Sequence, residues 1–320
     1  MNKKIDAMLF ESKTYSMKKY SFIRLSVIAF AVLSIIAVSC NEDNNDGNPP
    51  AQSVTDIVVG DPNFSILEAA VVKAGLANAL ATTNPITVFA PDNAAFTASG
   101  ISEATIAALP VSSVDSILKY HVLAAFVTSP NVPVSDAVTP LLGTKLFASR
   151  NANGVFMNGI KVKQADISAS NGVIHVIERV LIPPTKTIAQ IAAADTSFSF
   201  LVAAVTKVGL LSAISGPGKF TVFAPTNAAF RAAGITDINA VPLPTLDAVV
   251  KYHVLTTNVF ASDLINNTTA QTLQGGNIRI TTPPAGVKID GSTQPVSGIT
   301  TANITATNGV IHVINRVMLP

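Results

Sequence analysis

Outside its first 39 residues, the chain offers four histidines and two tyrosines as its main candidates for side-chain chemistry. His121 and His253 each follow a tyrosine, Tyr120 and Tyr252, within the pentapeptide KYHVL at 119–123 and again at 251–255. His175 and His312 lie inside VIHVI runs. An imidazole can move protons, ligate a metal or act as a hydrogen-bonded structural group. Zinc wants three or four ligands, and two histidines per segment without a matched carboxylate spacing do not supply them. GxSxG, HExxH and the P-loop lysine motif are all absent from the sequence. These residues imply no catalytic centre, metal or cofactor. Their simplest reading is structural: His175 and His312 in a strand, with rings bonded to a backbone carbonyl or to an asparagine such as Asn93 or Asn227.

The single cysteine, Cys40, removes disulfides and thiol chemistry from everything downstream. It ends a stretch, Met17–Cys40, that opens with Lys18 and Lys19 and continues through an uncharged run from Leu25 to Val38. That is the layout of a signal peptide, with an apolar region too short for a comfortable membrane span. The ending AVSC resembles the lipobox of bacterial lipoproteins, with Ala37 where leucine is usual. The expectation is a signal peptide over 1–39, with translation starting at Met17, and a lipidated Cys40 that holds the chain on a membrane. Residues 40–53 then form a flexible, Asn-rich tether. Its Glu42, Asp43 and Asp46 loosely resemble the surface-export signal of some Bacteroidetes lipoproteins. The expected address is the outer membrane, facing the cell surface. The leader carries six of the 21 basic residues and two of the 19 acidic ones. Residues 40–320 hold 15 bases against 17 acids, with none of the basic footprint of a nucleic-acid binder.

Three blocks occur twice in the same order. TVFAPDNAAF at 87–96 returns as TVFAPTNAAF at 221–230, KYHVL returns unchanged, and NGVIHVIERVLIP at 171–183 returns as NGVIHVINRVMLP at 308–320. A period of about 130 residues is too long for a solenoid unit and marks a duplicated domain. The blocks and their order resemble the fasciclin (FAS1) domain family across nearly all of residues 54–320. The resemblance implies an α+β fold: two tandem domains, 54–184 and 185–320, each a β-sandwich or wedge packed with several short helices. In animal members the Tyr-His region is linked to adhesion, which points to Tyr120, His121, Tyr252 and His253 as candidate binding residues.

Local patterns supply the parts. FSILEAAVVKAGLANAL at 64–80 has apolar residues at helical spacing, and FSFLVAAVTKVGLLSAI repeats it at 198–214. Pro91 ends the strand of the first block, and Asp92 or Thr226 stands where a helix N-cap belongs. ISEATIAALP and VDSILKYHVL read as two further helices, the first capped by Ser102. VIHVIERV, apolar on both faces up to Glu178, reads as a central buried strand. TKTIAQIAAAD reads as a short linker, so the domains touch. The expected function is a non-enzymatic surface protein, anchored by lipid, that adheres to an extracellular-matrix polysaccharide or a surface protein. The rival is a glycan-binding accessory protein for nutrient capture or envelope assembly. That role usually stacks sugars on exposed aromatics, and the chain has no tryptophan.

Overall fold

The computed structural model describes residues 51–283, 286–291 and 296–320. The expected signal peptide, lipidated Cys40 and residues 41–50 of the tether lie outside the described residues. The first domain runs α1 (Val54–Gly60), α2 (Ser65–Ala74), α3 (Ala77–Thr82), β1 (Ile86–Pro91), α4 (Asn93–Ala98), α5 (Glu103–Ala108), α6 (Val111–Tyr120) and β2 (Val122–Leu123). Strands β3 (Ser135–Val138), β4 (Leu146–Asn151), β5 (Gly154–Met157), β6 (Ile160–Ala169) and β7 (Gly172–Ile177) complete it. The second domain has α7 (Ile188–Ala194), α8 (Ser199–Lys207), α9 (Leu211–Ser215), β8 (Phe220–Pro225), α10 (Asn227–Ala232), α11 (Leu243–Tyr252) and β9 (Val254–Leu255). It ends with β10 (Thr268–Gln271), β11 (Asn277–Thr281), β12 (Lys288–Asp290), β13 (Ser297–Ala306) and β14 (Gly309–Ile314).

Capping chemistry sets the helix ends. Asp92 and Thr226 accept from the backbone N–H of Ala95 and Ala229 to start α4 and α10, and Ser102 starts α5. The apolar run 64–80 is not one helix. It breaks at Gly75, whose φ of 68° is left-handed and terminates α2 before α3 begins. Gly209, with φ 72°, separates α8 from α9 in the same way. The apparent linker 185–195 is also different from its reading: it contains α7, and Ile188, Ala189 and Ala192 are buried in the second domain's core. Helix α1 takes the same place in the first domain through Val54 and Val58.

Each domain carries one curled seven-stranded sheet. The order β2-β1-β7-β6-β5-β4-β3 is matched by β9-β8-β14-β13-β12-β11-β10. All neighbours are antiparallel except the central pair: β1 runs parallel to β7, and β8 parallel to β14. β7 and β14 are buried along their whole length, as their continuous apolar runs imply. Alternation along β1 sends Val88 and Ala90 into a core shared with the helices, and Phe89 into a second core inside the curl with Tyr120, Met157 and Leu181. The second domain divides its core likewise, with Phe223 and Tyr252 inside the curl.

The central parallel pair explains the Asn-Gly that opens each closing block. A Cβ on Gly172 would lie 2.0 Å from the carbonyl oxygen of Ile86, and one on Gly309 the same 2.0 Å from that of Phe220. Both distances are far inside contact, against backbone that is itself held in the ladder. We therefore expect Gly172→Ala to lower the stability of the first domain by about 3 kcal/mol or more, near the upper end for point substitutions. Urea unfolding of the variant and of Gly60→Ala, whose added Cβ meets nothing within 4 Å and whose backbone is not left-handed, checks this. An unchanged midpoint in Gly172→Ala would refute it.

Candidate functional site

The Tyr-His dipeptides lie at the C-terminal ends of α6 and α11, with both side chains turned inward. Tyr120, His121, Tyr252 and His253 are each 2% exposed or less. A partner cannot touch them without opening the domain, which corrects the reading of these four as contact residues. They serve the interior. His121 Nδ1 donates to the carbonyl of Ile117, 2.8 Å away, and its Nε2 accepts from the N–H of Leu181 at 2.9 Å. His253 repeats this with Val249 and Met318. Accepting at Nε2 requires the neutral ring. Burial pushes both histidines down to about 4, against a smaller opposing effect of the carbonyl bond. Burial also raises the Tyr120 hydroxyl to about 12, partly offset by the hydrogen bond from Asn158.

His175 and His312 do a different job with the opposite tautomer. The long strands β6 and β13 each slip register twice against β7 and β14. At the second slip stand Asp166 and Asn303, with φ of 62° and 61°. Such bulges bend a strand and leave a backbone N–H without a ladder partner. The N–H of Asp166 donates to His175 Nδ1, and that of Asn303 to His312 Nδ1. Each Nε2 then donates, at 2.8 Å, to the carbonyl of Val127 or Val259. The rings stack on Phe89 and Phe223 at 5.4 and 5.5 Å. Burial lowers His312, with the Val259 carbonyl and Asp263 opposing it. Among the described residues no group of three or more His, Cys, Asp or Glu is placed to hold a metal.

The asparagines bind backbone as well. Asn93 accepts from the N–H of Ile66 and donates to the carbonyl of Pro62 and to Ser65, tying α4 to the start of α2. Asn227 does the same for α10 and α8. Two further pairs escape the sequence reading. Asn171 accepts from the N–H of Val54 and donates to carbonyls at the end of α3, and Asn308 ties Ile188 to the end of α9. Thr87 donates to the carbonyl of Ala125 and accepts from the N–H of Val127, as Thr221 does with Thr257 and Val259. Their signal is present: all four are repeated inside the duplicated blocks.

Surface chemistry concentrates instead where the two domains meet. Phe147 on β4 stacks on Phe260 at 5.2 Å, both buried against Val310. Asn151 donates to the carbonyl of Ser262 at 2.9 Å. Lys219 pairs with Asp136 at 3.0 Å across the seam, with both side chains more than half exposed. Gly159 packs so closely that a Cβ there would be 2.6 Å from the Asn303 amide. Tyr120 reaches this seam indirectly. Its hydroxyl accepts from Asn158, whose side-chain oxygen accepts from the N–H of Phe147. Two clefts open along the seam, of about 400 and 530 Å³. Asn158 and Thr305 line both. In the smaller one, the side-chain oxygen of Asn258 is shielded from solvent and has no hydrogen-bond partner. The matched threonine clamps make Asn258 the counterpart of Phe126, which is 54% exposed. Val310 excepted, the residues that meet at the seam lie outside the duplicated blocks.

A family model described as "Fasciclin domain" matches residues 62–183 and 196–320. The chain is 28% identical over 249 residues to transforming growth factor-beta-induced protein ig-h3 of Sus scrofa, across 73% of its own length and 34% of that protein's. It therefore spans about a third of that relative. It is 39% identical over 136 residues to protein sll1483 of Synechocystis, across 42% of its own length and 75% of that protein's. Among solved structures it is similar to a FAS1 domain pair from the insect cell adhesion molecule fasciclin I, with 18% identity and a TM-score of 0.41, covering 83% of this chain and 96% of that one. Both family matches begin after the helix, α1 or α7, that the structure includes in each domain's core.

The geometry makes two outcomes testable. The lowered pKa of His121 and His253 means that the unfolded chain takes up protons first as pH falls. Stability is then fully present above about pH 6.5 and is lost between 6.5 and about 4, at about 1.4 kcal/mol per pH unit for each histidine. Urea midpoints across that window check it; a flat profile would contradict the buried neutral rings. Phe260→Ala removes the stacked seam contact and should cost about 3 kcal/mol, with the two domains then unfolding in separate calorimetric transitions. A single unshifted transition would show that the seam contributes little.

Proposed function

Because this chain belongs to the fasciclin domain family, in two tandem copies, we propose that it is a non-enzymatic adhesion protein held on a membrane by a lipidated Cys40. Fasciclin domains occur in adhesion proteins. The observation that carries the reading is the pair of complete fasciclin domains joined through a packed seam. Every histidine in them is committed to backbone hydrogen bonds rather than exposed for catalysis. The lipid fixes the protein at the outer membrane, the tether gives reach toward the cell exterior, and two modules raise avidity when both engage. The partner is a matrix polysaccharide or a protein of a neighbouring surface.

Capture of neutral sugars by stacking has less support. Phe126 is the sole aromatic among the exposed large hydrophobic side chains of the described residues. The other exposed large apolar residues are aliphatic, Val59 and Val72 sharing one small cleft, and offer no ring to stack a sugar on.

Cells producing the full chain should adhere to a matrix-coated surface, and protease applied to intact cells should abolish that adhesion. A Cys40→Ser chain, released from the membrane, should give none. Neutralising Glu42, Asp43 and Asp46 together should shield the domains from protease on intact cells. Adhesion that is unchanged when the chain is absent would refute the reading. Protection of the unmodified chain until the outer membrane is opened would place it in the envelope instead.

A further inference from the structure

We propose that the seam between the two domains is a binding site for an acidic polysaccharide that carries one carboxylate per sugar ring, a uronate polymer. The inference deepens the adhesion reading by naming its partner's chemistry, and it rests on four features of the groove.

The first is size and composition. Clefts of about 400 and 530 Å³ adjoin at Asn158 and Thr305, which is room for sugar rings in each. The second is charge. Lys145 and Lys219 line the smaller cleft and Lys161 and Arg179 the larger. Among the described residues, only Asp136 and Glu178 oppose them there. Four bases against two acids is a local excess in a chain that is net acidic after its leader. Among the described residues, Lys145, Lys161 and Arg179 have no carboxylate within ion-pair distance; the ion pairs there are Lys119–Asp115, Lys163–Asp92, Lys219–Asp136 and Lys251–Asp247. Lys161 and Arg179 are therefore open to a ligand, and Lys145, whose Nζ donates to the Thr139 hydroxyl at 3.0 Å, keeps further donors for one.

The third is the unpartnered acceptor. The Asn258 side-chain oxygen is shielded from solvent in the smaller cleft and receives no hydrogen bond. A buried acceptor without a donor costs free energy, so it marks a place where a donor is expected. Once the Asn258 amide turns toward the cleft it lines, a sugar hydroxyl supplies that donor and a carboxylate does not. The fourth is that the position is specialised. Its counterpart Phe126 is an exposed aromatic, so the fold does not demand asparagine there. Hydroxyl recognition at Asn258, beside lysines that are interspersed with acids, fits a ring bearing hydroxyls and one negative charge.

The test uses the full chain in detergent micelles, titrated calorimetrically with tetragalacturonate and with the same tetramer fully methyl-esterified. We expect saturable binding of the free acid that weakens as salt is raised, and no binding of the ester. Asn258→Ala should raise Kd about tenfold, the effect of one lost buried hydrogen bond. Lys145→Gln with Arg179→Gln, both at exposed positions, should raise it several-fold without risk to the fold, while Lys288→Gln, outside the groove, should not change it. No binding, or binding that is equal in the ester or insensitive to both groove variants, overturns the proposal. If tetragalacturonate fails while cells still adhere through the chain, this site is refuted and the adhesion reading stands. If it binds in the groove while cells do not adhere, the site stands and the adhesion reading falls.

Discussion

The constraint on which both domains depend is a pair of parallel strands buried on both faces. β1 with β7, and β8 with β14, lie between a helix-facing core and the core inside the curl. That position is closed to solvent, so each polar group nearby must find its partner within the protein. This accounts for the chemistry that first draws notice. Histidine appears where one ring must serve two backbone groups at once, as donor through one nitrogen and acceptor through the other. His121 uses the Nδ1–H tautomer to join α6 to the segment after β7, and His175 the Nε2–H tautomer to join the β6 bulge to the loop after β2. Lysine or arginine cannot accept, and serine lacks the reach. The same demand places Thr87 and Asn171 together at the N-terminal end of the ladder.

Much of this is legible from residues alone. The duplicated blocks give two domains, the two-faced apolar run VIHVI gives the central strand, and Asp92, Thr226 and Ser102 mark their helix starts. The breaks at Gly75 and Gly209 are not, because an apolar periodicity runs on through a residue whose left-handed backbone ends the helix. Helix α7 hides because its burial comes from tertiary contact with β14 and α8, while its small residues resemble a linker. The inward turn of the Tyr-His pair is also beyond periodicity. It depends on the tyrosine reaching past the helix end into the curl, where its hydroxyl meets the carbonyl of Lys145 or Asn277.

The seam is illegible for a different reason. In a head-to-tail pair, each domain offers a different face to the other, so the residues that meet are not counterparts and leave no trace in the repeat. Tyr120 and Tyr252 donate to Lys145 and Asn277, which makes Arg279 the counterpart of Phe147. Phe147 is buried against Phe260, whereas Arg279 is exposed and bonds Asn267. Asn258 and Phe126 divide in the same way on the opposing face. The two copies thus hold two kinds of residue: those kept in both maintain the fold, and those that differ at these matched positions belong to the seam.

That separation bears on how the Tyr-His signature relates to adhesion. Tyr120 has no surface of its own, yet its hydroxyl holds Asn158, and Asn158 holds the backbone N–H of Phe147 at the seam. Three contacts therefore link the interior signature of the first domain to the stacked ring that sets the position of the second. Removing that hydroxyl leaves Asn158 short of a buried partner and loosens the strand that presents Phe147. A partner gripping the groove would sense the change without touching the tyrosine. An effect of this dipeptide on binding at the groove would then be an effect on domain geometry, transmitted through Asn158.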